Sequence, residues 1–149
     1  MDLDRHGTEV LPTATCLELL RTRRVGRLGL SMGALPVVHP VNFAVDGDRV
    51  FIRTGVGSKL SAAVRSAVVC LEVDDIDDDG TTGWSVLVTG RAEELVGAEA
   101  EQAADALGDG SSWAGDHYVG IHIELVSGRR RDAVSPAAPP SARSSPALT

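Results

Sequence analysis

Between Val25 and Thr54 the apolar residues come in short alternating runs joined by brief polar or glycine connections, and this pattern limits the choice of fold more than anything else in the chain. "VGRLGLS" (25–31) sets Val25, Arg27 and Gly29 against Gly26, Leu28 and Leu30, the two-residue period of a strand. "MGA" (32–34) reads as a turn. "LPVVHPVNFAV" (35–45) is rich in β-branched residues but carries Pro36 and Pro40. Proline cannot donate to a sheet ladder, so an edge, bulged or interrupted strand is expected there. "DGD" (46–48) is a hairpin signal, and "RVFIRT" (49–54) alternates Val50 and Ile52 against Arg49, Phe51 and Arg53.

The rest of the chain follows the same grammar. Residues 1–12 look like a loose leader. A short helix is expected from near Thr13 or Thr15 to about Arg23, with Thr15 and Glu18 in capping-box spacing and Leu17 and Leu20 on an apolar stripe. "SKLSAAVRS" (58–66) is a two-turn helix that Ser58 could cap. "AVVCLEV" (67–73) is a nearly continuous apolar strand, and the aspartates up to Asp79 with Gly80 form an exposed loop. "GWSVLVTGRAEELV" (83–96) is a long strand with a bulge or bend at Gly90; 98–107 is a helix; "HYVGIHIELV" (117–126) is the last strand, with Arg129, Arg130 and Arg131 as its solvated stop. From Ala133 on, Pro, Ala and Ser without apolar periodicity predict disorder. About six strands and three short helices, with connections too short for parallel crossovers, predict antiparallel hairpins curling into a small barrel.

Composition narrows the functional classes. The 149 residues suit one domain, here 13–131, with a leader at 1–12 and a tail at 132–149. A net charge of −7 disfavours nucleic acid and anionic lipid as partners. The charge is uneven: Asp74, Asp75, Asp77, Asp78 and Asp79 form one run, and Arg21, Arg23, Arg24 and Arg27 another. Cys16 and Cys70 make no CxxC pair, and Cys70 reads as a small buried thiol. No signal peptide and no apolar run of about 18 residues is visible, so a cytoplasmic protein without a membrane span is expected. His117 and His122 are five apart on a strand and point to opposite faces, a poor metal pair, so no metal site is expected. The aspartate run lacks the ligand pattern of a calcium loop.

Thirteen of the fourteen basic residues are arginine; the exception, Lys59, follows "GVG" at the start of the second helix. The segment matches neither a P-loop nor a dinucleotide fingerprint, because the required glycines are missing. The chemistry of an anion site is nevertheless present. A glycine loop lets amides approach an anion, and a helix start offers unpaired N–H groups. Thr54 and Ser58 add hydroxyls, Arg53 can grip two oxygens, and Lys59 brings a compact charge. An ordinary surface turn capped by Ser58 fits the same residues.

A strand ending "PVNF", the hairpin "DGD", a strand ending "RT", then "GSKL", an apolar strand and "GWSVLVTGRAEEL" occur in that order. The order resembles the pyridoxamine 5′-phosphate oxidase-like flavoproteins, over about residues 13–131. The resemblance implies a mainly β fold with short helices, a six-stranded antiparallel split β-barrel. It further implies a homodimer with an FMN in each cleft between subunits. By the same resemblance Arg53, Thr54, Ser58 and Lys59 hold the flavin phosphate, Val41 and Asn42 lie along the ring, and Trp84 and Ser85 reach the flavin from the partner subunit. His39 could reach the flavin edge, a substrate or only solvent. Trp113 sits in a loop that could cover a cleft or patch the barrel end.

True pyridoxamine phosphate oxidases carry a C-terminal Arg–x–His pair for substrate; this chain has "SGRRRD" and a Pro/Ala/Ser tail instead. The implied activity is therefore an FMN-dependent oxidation or reduction of a different small molecule, with no acid, base or nucleophile assigned as catalytic. A deazaflavin-dependent reductase is the second expectation. A non-catalytic flavin- or haem-binding protein or redox sensor is the third.

Overall fold

The computed structural model describes residues 1–54, 64–108 and 117–132. Nine strands and two helices occur among them, in the order β1 (Asp2–Leu3), β2 (Glu9–Val10), α1 (Thr13–Leu20), β3 (Val25–Met32), β4 (Leu35–Asp46), β5 (Arg49–Thr54), β6 (Val68–Ile76), β7 (Gly83–Leu95), α2 (Gly97–Leu107), β8 (His117–His122) and β9 (Leu125–Arg131). The strands run in the spatial order β1-β2-β9-β7-β6-β3-β4-β5-β8, all antiparallel, and β8 returns to pair with β7. This closes a six-stranded barrel, β7-β6-β3-β4-β5-β8, with β9, β2 and β1 extending from β7 as a flap, as a split barrel requires.

Gly90 makes the closure. Residues 83–89 of β7 pair with β9, and residues 92–95 pair with β8. The strand changes partners between these stretches, and a Cβ on Gly90 would run into the carbonyl oxygen of His122. Only glycine lets the two backbones approach this closely.

The prolines of β4 do not interrupt it. The Phe43 amide donates to the Arg24 carbonyl at 2.9 Å, so odd-numbered residues of β4 aim their N–H groups toward β3. Even-numbered residues, Pro36 and Pro40 included, aim away. Pairing with β5 begins only at Asn42, so along 35–41 that side of β4 is an edge and the missing donors cost nothing. The expected edge strand is thus one half of a continuous strand.

Three expectations need correction. The last strand is two: Ile123 and Glu124 separate β8 from β9, and Arg129–Arg131 lie within β9, opposite Gly83–Ser85, rather than after it. Asp74 and Asp75 belong to β6, paired with Ser85 and Trp84; only the later aspartates sit in the loop. There the Asp77 carboxylate accepts bonds from the Thr82 hydroxyl first, and then from the Thr82 and Thr81 amides, which hold its pKa well below the usual range. Cys70 is half-buried on the outer surface of β6, because the run 67–71 is apolar at every position and periodicity there does not mark which face is covered.

The helix at 13–20 begins at Thr13 after Pro12, with no side-chain cap, so the Thr15–Glu18 spacing is not used. It plugs one side of the barrel: Cys16 and Leu20 are fully buried, and Gly128 of β9 leaves room for the Cys16 sulfur, which would lie 2.6 Å from an added Cβ. Residues 1–12 carry β1 and β2, tied to β9 by Arg130–Glu9 at 3.2 Å. Two-residue strands have no periodicity, which is why the sequence shows only a polar leader there. Residues 58–63 of the helix expected at 58–66, the Trp113 loop and the tail from 133 lie outside the described residues.

Two apolar clusters result. The barrel interior holds Leu28, Leu71, Val50, Ile52, Val86, Val88 and Ile121 among others. The second lies outside the barrel, where α2 covers Phe51, Leu95 and its own Ala103 and Leu107. Phe51, placed by alternation among arginines on the outer face of β5, is fully buried because a helix sits on it.

Candidate functional site

Arg53 and Thr54 end β5, beside Asn42 on β4 and Tyr118 on β8. Consecutive strand residues face opposite ways, so Arg53 and Asn42 share the outer face while Thr54 and Val41 point toward the barrel interior. Thr54 is 3% exposed and the only buried polar residue among those described. Arg53 is held on two sides. Its Nη2 donates to the Gly108 carbonyl at the end of α2, at 3.1 Å, and its guanidinium lies 5.4 Å from the centre of the Tyr118 ring.

Three buried side-chain atoms here have no hydrogen-bond partner: Asn42 Oδ1, Arg53 Nε and Thr54 Oγ1. They come from three residues at one corner of the β4–β5 hairpin, and they are the complete set of such atoms found among the described residues. Leaving a buried polar atom unmade costs about 1–3 kcal/mol. Asn42 Oδ1 and Arg53 Nε share the outer face, while Thr54 Oγ1 lies across the sheet from them on the inner one. An acceptor, a charged donor and a hydroxyl suit a flavin or its phosphate chemically. Ser58 and Lys59, expected to complete the phosphate grip, lie outside the described residues.

Asn42 also lines a cleft of about 270 Å³ with Arg21, Arg23, Arg24 and Phe43, closed on its other side by the end of α2. The arginine run stands out in the sequence, but its place beside Asn42 is visible only in the fold. Tyr118 under Arg53 is likewise unmarked in the sequence, since only the β5–β8 register brings the two together. His39 faces the barrel side opposite Leu28 and is half-buried.

Trp84 and Ser85 are not at this corner. Ser85 pairs with Asp74 of β6, so β6 and β3 stand between it and Asn42. At about 4.8 Å per strand that is roughly 14 Å. The pair instead line a separate cleft of about 160 Å³ with Thr81, Arg129, Arg130 and Arg131. Within one chain the two expected parts of the site do not meet.

Away from this corner, His117 Nδ1 lies 3.5 Å from Glu94 and His122 Nε2 lies 3.3 Å from Glu93, on opposite faces of β7. These are separate contacts rather than one ligand cluster. No helix among the described residues is long and apolar enough to cross a membrane.

A closed six-stranded antiparallel barrel with a flap defines a split barrel. Residues 12–130 match the model of the pyridoxamine 5′-phosphate oxidase family, and the chain belongs to that family. An uncharacterized protein of Mycobacterium tuberculosis is 40% identical over 122 residues, 76% of this chain and 79% of the relative. Two solved structures align over most of both chains. An FAD-binding protein of Mycobacterium smegmatis is 27% identical with TM-score 0.65, covering 84% of this chain and 99% of that one. An FAD-binding protein of Mesorhizobium loti is 28% identical with TM-score 0.70, covering 82% and 95%.

Proposed function

We propose that this protein is a flavin-dependent oxidoreductase, taking FMN as its cofactor and acting on a small molecule other than a B6 vitamer. The observation that carries the reading is the pair of unpartnered buried atoms that Asn42 and Arg53 place on one face, with the unpartnered Thr54 hydroxyl at the same strand end and Ser58 and Lys59 a few residues further along the chain. A bound flavin supplies hydride and electron transfer. The chain's residues bind and orient it: Arg53, Ser58 and Lys59 grip the phosphate, Thr54 adds a hydroxyl donor, and Val41 and Asn42 flank the ring.

The working unit is a homodimer in the cytoplasm. Trp84 and Ser85 come from the second copy, which accounts for their separation from Asn42 within one chain. An uncovered apolar face on β3, β4, β6, β7 and β9 supports the second copy: Val25, Val38, Val68, Leu87 and Leu125 share it by register and are all at least 40% exposed. Large apolar side chains gathered in the open on one sheet face suit an interface.

FAD is the second reading of the cofactor, favoured by the two FAD-binding relatives. The mass of the molecule that copurifies separates FMN, FAD and a deazaflavin. Affinity in two variants tests the site. Lys59→Ala weakens flavin binding by about 1.5–3 kcal/mol, the worth of a charged hydrogen bond. Thr54→Val keeps the shape and removes the orphan hydroxyl. It leaves the flavin-free protein as stable or stabler, and weakens flavin binding by about 1 kcal/mol, roughly fivefold. A wild-type protein that takes up no flavin, or variants with unchanged affinity, overturns the reading.

A further inference from the structure

The uncovered sheet face is not apolar throughout. One row crosses it through Pro40, Arg27, Glu72, Leu87 and Ser127, each opposite the next on β4, β3, β6, β7 and β9. Glu72 stands in the middle of that row, on the middle strand. Asp74, two residues along β6, shares its face, as does Cys70 on the other side. The rows on either side of Glu72 bring no charge from β3, β4 or β7 among the described residues. On β9 the nearest charge is Arg129, one row along opposite Ser85, and it lies 3.8 Å from Asp4. The centre of the face therefore holds two carboxyls and one guanidinium. Both carboxyls are already half-buried in the single chain.

A face that packs on a second copy of itself must be its own complement. Charges of both signs in an apolar surround meet that condition, since the Arg27 guanidinium of each copy can meet a carboxylate of the other. One carboxylate per copy is then left without a cation. An unpaired carboxylate between two packed sheets is costly, and such a group takes up a proton instead. We infer that pairing of two copies through this face takes up a proton on the Glu72–Asp74 pair of each, so that the dimer tightens as pH falls and loosens as pH rises. The inference rests on the dimer reading of this face. In the single chain burial, and then Asp74, already push Glu72 up to about 7, which places the change near neutrality. A second copy strips more water from the pair and raises it further. Below about pH 7 both states hold the proton and the dissociation constant is level. Above it the separated chain releases its proton first and the constant rises, by up to about a hundredfold per pH unit for two protons. Loosening separates Trp84 and Ser85 of one copy from the Asn42 corner of the other.

The full-length protein is sedimented at about pH 6 and about pH 8.5, at one ionic strength. The dissociation constant is expected to be at least tenfold higher at the upper pH. Glu72→Gln keeps the shape and removes the titrating group. Its constant should match the wild-type value at the lower pH and differ less than twofold between the two. Cys70→Ser, which removes the other titratable group beside Glu72, should leave the wild-type ratio unchanged. A wild-type constant that is level across the range, or that falls as pH rises, overturns the inference and leaves the dimer standing. A pH dependence that persists in Glu72→Gln, or that vanishes in Cys70→Ser, assigns the proton to another group and overturns it equally. A protein that stays monomeric at both pH values overturns the dimer reading and the inference with it.

Discussion

The barrel has two outer faces made by the same alternation, and they met different fates. On β4, β5, β7 and β8 the outer face is covered by α2, which buries Phe51, Leu95, Ala103 and Leu107. Its rim is polar: Arg49 Nη1 meets Glu99 at 2.8 Å, Gln102 bonds Asp46 at 2.8 Å, and the Arg49 guanidinium stacks 4.9 Å from the Phe51 ring centre. On β3, β4, β6, β7 and β9 no helix among the described residues covers the outer face. Its valines and leucines stay exposed, with Arg27 and Glu72 opposite each other in their midst. Among the described residues one apolar face is covered by α2 and the other is left exposed.

The largest effect should come from the covered face. Phe51→Ala is expected to cost about 3–5 kcal/mol by urea unfolding, as for other buried aromatics. Val25→Ala on the uncovered face should cost under about 0.5 kcal/mol in the separated subunit. Similar losses at both positions would mean the faces are not different in kind.

A smaller effect, on assembly alone, is expected at Leu87. Leu87→Asp places a charge in the apolar face and should raise the dimer dissociation constant at least tenfold, about 1.4 kcal/mol, by sedimentation. A wild-type protein that sediments as a monomer at all accessible concentrations ends the comparison.

The smallest effect concerns pH. Burial first, and then the neighbouring Asp74 carboxyl, push Glu72 from 4.5 up to about 7, against the pull of Arg27. A carboxyl whose folded value exceeds its unfolded one holds its proton more tightly in the fold. Its contribution to stability therefore falls as pH rises from about 4.5 to about 7 and is level outside that window. Glu72→Gln should unfold at a higher temperature than wild type above pH 7 and at the same temperature below pH 4.5. Parallel melting profiles across that range would remove Glu72 from the account.

Much of the fold was legible because it depends on local spacing. Strand alternation, the "DGD" hairpin and the two prolines place β3 to β5 nearly residue by residue. The break at Ile123–Glu124 was not legible, because the apolar run continues through it. What divides the run is the change of partner that Gly90 permits on the neighbouring strand. The site was legible in part. Arg53 and Asn42 are neighbours through the β4–β5 hairpin that the sequence marks, while Tyr118 and the arginines of the cleft join them only through strand register and the position of α2.

By its sequence alone the chain determined that it would be antiparallel, since period-two patterning and turn chemistry are properties of neighbours along the backbone. Which face of each strand would be covered, which buried atoms would lack partners and which arginines would share a cleft were decided only in three dimensions. Those outcomes depend on contacts between residues far apart in the chain, and no local pattern encodes a contact that barrel closure creates.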